Sequence, residues 1–579
     1  NDVHVLYVHA HGPGILAYDD INLWGVKANR NKGPGIKSFF GSVYVNARSM
    51  LTSDEVIGNK GDGIHAGANL DDTNALGFTK GVGIYKSIQV RDNSGWGVYA
   101  KGDIVLNRST TLTDTFDTRV SSIAGNGVHQ ECWVINDHDE DIATPATERC
   151  AAGGLRARRG GINASLVDVS DNNGPGILAN RTIYLLGTNS SNRNKGPGIQ
   201  SFSGAIYLSR KSEGGECTVS GNKGHGVWAA GETNAGTGTR DGIIATALLQ
   251  IENNSAYAAI AETGDVKINI FNNAPISEQI SHLGNNGLNA DCWIIANNGL
   301  DLAVQRSCPS GGISVRNGSL AGARLEVTDN NGMGIFASGN VTLLGNKVCN
   351  NKSGNVGTRE GILSLSGVTL CDRDSDGVSD DVEAGAPNNG DGNSDGISDN
   401  QQDYVASLIT LGKPFTMASA SAMPIFWAIA DDDFPANTPR GLDYRSGLIK
   451  ASIGAGMGGA RLPQDNTPAV IAVRQIFHEA ASVGTYWMYG PTADNPSPHW
   501  YKFSFDGTTG ARIEGNTVTL YITDGGPGDA DGRVDGRIQL VGVAGSPVEG
   551  FDDCLRGDVN RDGLVDLRDA ILVMMAMAG

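Results

Sequence analysis

A six-residue motif, Asn-x-Gly-x-Gly-Ile, returns through the first two-thirds of this chain and constrains its fold more than any other feature. Full copies begin at Asn31, Asn59, Asn93, Asn194 and Asn222, each ending on Ile or Val, as in Asn31-Lys32-Gly33-Pro34-Gly35-Ile36. Shorter copies begin at Gly12, Gly81, Gly125, Asn173 and Asn331. Neighbouring copies commonly lie 20 to 28 residues apart, with short apolar runs such as Thr182-Ile183-Tyr184-Leu185-Leu186 between them. Strands of three to five residues at that spacing fit one coil of a solenoid, and the interval is too short and too helix-poor for βαβ units. The motif glycines are expected to supply positive φ at a turn, and the asparagines to stack from coil to coil. The Ile or Val after the last Gly is expected to point into a narrow core.

A longer repeat lies above the short one. The run from Gly12 to Ile36 returns from Gly174 to Ile199, GNKGDGI at Gly58 returns as GNKGHGV at Gly221, and ECWVIND around Cys132 returns as DCWIIAN around Cys292. All these offsets fall between 158 and 163 residues. Duplication by block suits a stacked architecture, because added coils contact only their neighbours. The alternative is a two-layer sandwich of irregular hairpins. The expected fold is all-β. A right-handed parallel β-helix covers residues 1–370, in modules of about 1–158, 159–318 and 319–370. A calcium-binding segment at 371–403, an antiparallel β-sandwich at 404–550 and a short EF-hand-like helical segment at 551–579 follow.

Acids outnumber bases by 63 to 44, for a formal charge of -19, which argues against a nucleic-acid partner. Glycine is abundant, at 81 residues, but follows no strict triplet, so collagen is excluded. Eight cysteines are present. Cys132 with Cys150 and Cys292 with Cys308 stand at similar places in the two modules and read as disulfides of an oxidising compartment. Cys349 and Cys371 are spaced to pair across about one coil, whereas Cys217 and Cys554 have no evident partners. No stretch is long and apolar enough to span a membrane, and the opening residues carry no secretion signal. We therefore expect an extracellular or cell-surface chain that is part of a longer precursor.

Between the repeats and the last third, acidic residues alternate. Asp372, Asp374, Asp376 and Asp380 are followed by Glu383, and Asp391, Asn393, Asp395 and Asp399 repeat the phase with Asp403 nearby. Alternation places oxygen ligands on one side of a short loop that Gly377 or Gly396 turns. That is hard-cation chemistry, with Ca²⁺ the expected ion. The competing reading is a disordered acidic linker. The motif resembles thrombospondin type 3 calcium repeats, which implies a semi-rigid, calcium-ordered spacer.

From about Asp403 to Gly550, alternating runs such as Thr517-Val518-Thr519-Leu520-Tyr521-Ile522 are separated by Gly, Pro and Asp turns, as in a β-sandwich. Trp427, Trp487, Tyr489, Trp500 and Tyr501 are either core residues or a sugar-stacking face. The stretch from Ile409 to Pro547, with FWAI, WYKFSF and ITDGGPGDADGRVDGRI, resembles the choice-of-anchor U family of bacterial surface proteins, which implies a place near a surface-attachment signal. In the tail, Asp558, Asn560, Asp562, Asp566 and Asp569, with the Leu564 carbonyl, occupy the positions of an EF-hand loop in which Asp replaces the final Glu. The tail resembles the first repeat of a type I dockerin. That implies calcium-dependent docking to a cohesin, although only one of the usual two segments is present.

Right-handed β-helices resemble pectate lyases, rhamnogalacturonases and related polysaccharide-active enzymes, which implies a groove along one face. The best local candidates for such chemistry are Asp139, Asp141 and Arg158, in and after the insertion that Cys132 and Cys150 bracket. A disulfide-clipped surface loop explains the same residues, and the matching loop after Cys292 keeps Asp301 and Arg306 but loses most of the acidic cluster. Two readings follow. The first is a structural or adhesive surface protein, whose repeated modules stack end to end and whose partners are copies of itself, a cohesin or another surface component. The second is a polysaccharide-binding protein, lyase or hydrolase.

Overall fold

The repeated isoleucine is the residue around which the first half of the molecule is built. A computed structural model of the chain describes most of residues 12 to 548. Outside the description lie 1–11, 47–53, 69–79, 108–118, most of 128–150, 210–214, 234–239, 272–273, 276–278, 289–290, 296–302, 421–422, 432–433, 455–469, 549–579 and the single positions 307, 360, 436 and 481. The chain divides into two compact units. The first comprises 1–330, 336–347 and 361–368, and the second 331–335, 348–360 and 369–579.

The first unit is a parallel solenoid. Each coil contributes a short strand to each of three sheets, which hold twelve, thirteen and ten strands among the described residues. In the first sheet the last residue of each motif falls in register. Ile36 pairs with Ile64, Ile64 with Val98, Val98 with Leu155, Leu155 with Ile177, Ile177 with Ile199, and Ile199 with Val227. All seven are fully buried. Each contributes about 1.5–3 kcal/mol of burial, one part of what several buried side chains per coil set against its ordering.

Asparagines form a second continuous column. The side-chain amide of Asn31 donates to Oδ1 of Asn59 at 2.7 Å, and that of Asn59 to Asn93 at 2.8 Å. The chain of bonds continues through Asn126, Asn172, Asn194, Asn222, Asn254, Asn286 and Asn330 at 2.9–3.0 Å. Each Oδ1 also accepts the backbone N–H of the asparagine one coil earlier, as Asn194 does from Asn172 at 3.1 Å. The first five members recur as the second five at the block spacing of 158 to 163 residues.

Two features of the motif need correction. The column takes Asn172 and Asn330, one residue before the Asn173 and Asn331 read as motif starts. Asn173 instead donates to the Gly127 carbonyl at 2.7 Å. Positive φ also falls elsewhere than expected. It belongs to the residue before each column asparagine, including Arg30, Asp92, Asp171 and Arg193 at 53–59°, and not to the second motif glycine. That glycine serves close approach. A Cβ on Gly198 would lie 2.4 Å from Val219 Cγ1, 2.8 Å from the Asn222 amide nitrogen and 2.8 Å from the Gly226 carbonyl oxygen. The next coil therefore sits where any side chain would go.

The second half of each block carries an excursion. Cys292 and Cys308 are disulfide-bonded, and the strands Cys292–Ile295 and Ala303–Arg306 pair antiparallel between them. Ile295 packs with Trp96 and Leu178 on the outside of the first sheet. The Lys195 ammonium lies 4.4 Å from the Trp293 ring centroid. The equivalent Cys132 and Cys150 fall outside the described residues.

The second unit is built on two antiparallel sheets. One orders Val405–Thr410, Lys413–Ser419, Val470–Phe477, Thr517–Thr523 and Gly510–Glu514. The other orders Ile425–Asp431, Leu448–Gly454, Arg537–Pro547, Thr485–Thr492 and Asn495–Lys502, with Leu442–Tyr444 beside Arg537–Pro547. Phe415, Ile471, Leu520, Ile453 and Leu540 share the core between the sheets. Trp487 and Trp500 are buried with Leu448 and Val543, and Trp427 is buried as well. These tryptophans are core residues and form no sugar-stacking face. Cys349 and Cys371 are disulfide-bonded within this unit.

Candidate metal centre

The acidic segment forms two turns of the same design, nineteen residues apart in sequence. In the first, Asp372 accepts the N–H groups of Ser375 at 2.7 Å and Gly377 at 2.9 Å, and Asp376 accepts that of Val378 at 2.8 Å. In the second, Asp391 accepts those of Asp395 at 3.0 Å and Gly396 at 2.9 Å, and Asp395 accepts that of Ile397 at 2.9 Å. Ser375, Gly377, Ser394 and Gly396 all take positive φ. The turns differ in surroundings. Val378 enters the core of the antiparallel sheets, whereas its counterpart Ile397 is exposed. Asp376 and Gly377 of the first turn are buried with Val378, while Asp372 and Asp374 are half-buried, and Asp395 of the second faces solvent.

Burial sets the chemistry. Carboxylate oxygens of Asp372, Asp374 and Asp376 lie within 4.8 Å of one another. Glu383, at the end of the one-turn helix Asp380–Glu383, is fully buried and accepts the Ser407 N–H at 3.3 Å. Asp399 is also fully buried, and accepts the Gly392 N–H at 2.8 Å and the Ser407 hydroxyl at 2.6 Å. The Ser407 and Thr416 hydroxyls share a hydrogen bond, and Thr416 meets His478 Nε2 at 2.9 Å, so a chain of bonds fixes Asp399. Gln402 ties the turns together, with its N–H on Asp374 Oδ2 at 2.9 Å and its side-chain amide on Asp395 Oδ1 at 3.2 Å.

After these bonds are made, Asp374 Oδ1, Asp376 Oδ2, Glu383 Oε2, Asp399 Oδ1, Asn400 Oδ1 and Gln402 Oε1 are buried and receive no hydrogen bond. Six acceptors with no donor in one short segment violate the rule that buried polar groups are paired. Burial, with mutual repulsion, pushes Asp374 up to about 7 and Glu383 up to about 10, and holds Asp376 well above the carboxylate range. The Asp372, Asp374 and Asp376 cluster could coordinate a divalent cation, since oxygen-only donor sets of this kind suit hard ions.

The sequence-derived ligands divide accordingly. Asp372, Asp374, Asp376 and Glu383 come together, and the electrostatic influence of Asp399 on Glu383 places Asp399 in the same neighbourhood. Asp380 accepts the Arg373 N–H at 2.8 Å and lies close enough to raise Asp372 electrostatically. Asp391, Asn393 and Asp395 build the second turn. Gln402 and Asn400 were not foreseen. They carry no charge, and only the bonds that Gln402 makes to Asp374 and Asp395 tie it to the turns. Asp558, Asn560, Asp562, Leu564, Asp566 and Asp569 lie outside the described residues, as do Asp139 and Asp141. Arg158 hydrogen-bonds the Tyr99 hydroxyl, so it is engaged in holding the sheet surface. Cys217 is buried in the solenoid, with its thiol pushed up to about 12 by burial, which leaves it no nucleophilic character.

No family model, curated protein or solved structure matches the chain.

Proposed function

We propose that this chain is an extracellular or cell-surface structural or adhesive protein, in which a right-handed β-helix presents repeated coils and a Ca²⁺ ion organises the acidic segment of the second unit. The observation that carries this reading is the group of buried, donor-less oxygens on Asp374, Asp376, Glu383 and Asp399. Calcium is preferred to magnesium because the donor set offers several carboxylate and amide oxygens and no nitrogen, more than the one or two carboxylates magnesium usually takes. The disulfides suit an oxidising compartment. The resemblances to thrombospondin type 3 repeats, to choice-of-anchor U domains and to a dockerin repeat support attachment at a surface, with a cohesin or another surface component as partner. End-to-end association of solenoids is a further part of the proposal, since β-helix edges are ready templates for pairing.

Titration calorimetry on the chelator-stripped full chain tests the cation. Binding of Ca²⁺ tighter than Mg²⁺ is expected, weakened roughly tenfold or more by Glu383→Gln, a loss of about 1.4 kcal/mol. Absence of calcium binding, or binding unchanged in Glu383→Gln and Asp376→Asn, would remove the basis of the reading.

A further inference from the structure

The outer face of the second parallel sheet carries a feature that the structural reading does not use. Its outward positions run in register as Tyr44, Gly83, Val105, Asn163, Tyr184 and Tyr207. Rings stand at both ends, and small side chains lie between. The Tyr44 and Tyr85 rings close over Gly83. Val105 and Asn163 leave a trough before Tyr184, and a groove of about 420 Å³ opens there.

The walls of this groove are built by hydrogen bonds. The Tyr184 ring is 46% exposed, and it lies parallel to Tyr207 at 4.8 Å and 7°. Tyr207 is held in turn by its hydroxyl, which donates to the buried Asp241 at 2.8 Å. Glu232 stands on a short added strand, Glu232–Thr233, that pairs antiparallel with Arg240–Ala245. It accepts the Thr182 hydroxyl at 2.5 Å. Asp103 accepts the Gly161 N–H at 2.7 Å, and Arg181 lines the same groove. An exposed ring held flat, beside oriented carboxylates, an amide and a guanidinium, presents an apolar platform with fixed hydrogen-bonding partners.

We infer that this groove binds a short segment of a neutral oligosaccharide, with a sugar ring stacked on Tyr184 and its hydroxyls held by Glu232, Asp103 and Asn163. Sugar hydroxyls are donors as well as acceptors, so one ring can use the carboxylates and the guanidinium of the groove together, whereas an apolar ligand would leave both unused. Two carboxylates line the groove with one guanidinium, and Asp241 adds a third acid behind Tyr207. That balance disfavours a polyuronate. The site lies wholly in the solenoid and stands apart from the cation proposal.

Binding of cellohexaose, xylohexaose, mannohexaose and hexagalacturonate to the full chain, followed by calorimetry, tests this assignment. At least one neutral hexasaccharide binds, more tightly than hexagalacturonate. Tyr184→Ala weakens that binding roughly tenfold or more, and Asn163→Phe, which fills the trough, abolishes it. Tyr184→Ala keeps the melting temperature of the parent, Asn163→Phe keeps the parent's circular dichroism at the assay temperature, and Glu383→Gln binds the sugar as the parent does. No binding of any neutral hexasaccharide, a preference for hexagalacturonate, or binding indifferent to Tyr184→Ala and Asn163→Phe would overturn it.

Discussion

Each column asparagine joins three coils at once, and Asn194 shows how. Its Oδ1 receives the backbone and side-chain amides of Asn172 at 3.1 and 3.0 Å, and its own amide serves the Val169 carbonyl at 2.9 Å and Asn222 at 3.0 Å. Asn194→Leu would fill the space yet strand the N–H and amide of Asn172 and the Val169 carbonyl. Stranded buried groups cost about 1–3 kcal/mol each, so a loss of about 3 kcal/mol or more is expected in chemical denaturation, with faster hydrogen exchange at Asn172. A loss below about 0.5 kcal/mol would mean that the column is decorative. The column was legible in the sequence as a repeat, but its register was not. Asn172-Asn173 and Asn330-Asn331 offer two candidates each, and only the position of the neighbouring coil chooses between them. Asn254 and Asn286 escaped notice for another reason. Ser255-Ala256-Tyr257-Ala258 replaces the glycines after Asn254, and the excursion between Cys292 and Cys308 separates Asn286 from its strand, so the motif is broken although its first residue is kept.

At the scale of elements, the solenoid strands can be short because two inward side chains per strand, as Val43 and Val45 or Ile206 and Leu208, fill the core when coils stack in register. The disulfide-closed hairpin from Cys292 to Cys308 is an addition to this plan. Ile295 covers Leu178, and the Trp293 N–H bonds the Lys223 carbonyl, so the hairpin seals an apolar part of the first sheet. Cys292→Ser with Cys308→Ser should free it. Cleavage by chymotrypsin near Trp293 and binding of a hydrophobic dye are expected to rise in the double variant, while the parallel-sheet circular dichroism stays unchanged. Resistance equal to the parent would show that packing alone fixes the hairpin. The acidic turns give a contrasting lesson. Their charge pattern was plain, and the sequence suggested a calcium-ordered spacer without showing which carboxylates would be buried. Burial comes from Val378, Gln402 and Ser407, which carry no calcium signal and act only through the sheets they join.

At the scale of the whole molecule, the two units rest on different physics. The solenoid gains stability coil by coil through register, whereas the second unit encloses carboxylates that its own residues leave unpaired. Those carboxylates set the pH dependence. Asp374, raised from 3.8 to about 7, and Glu383, raised from 4.5 to about 10, hold protons that the unfolded chain has lost. Their contribution to stability is therefore complete below pH about 4 and is lost as pH rises through their folded values. Buried His225 and His478, held neutral, act in the opposite sense near pH 6.5 but do so with or without a cation. Calcium replaces the protons, so its stabilisation should grow as pH rises. At a concentration 100 times its dissociation constant, an ion that binds only the folded state adds about 2.7 kcal/mol.

The direct measurement is the melting temperature of the second unit at pH 6, 7.5 and 9, in chelator and in calcium. The account predicts that the midpoint in chelator falls between pH 7.5 and 9, that calcium raises it, and that the increment widens with pH and shrinks in Glu383→Gln. An increment of zero, or one that is the same at all three pH values and in the variant, would contradict it.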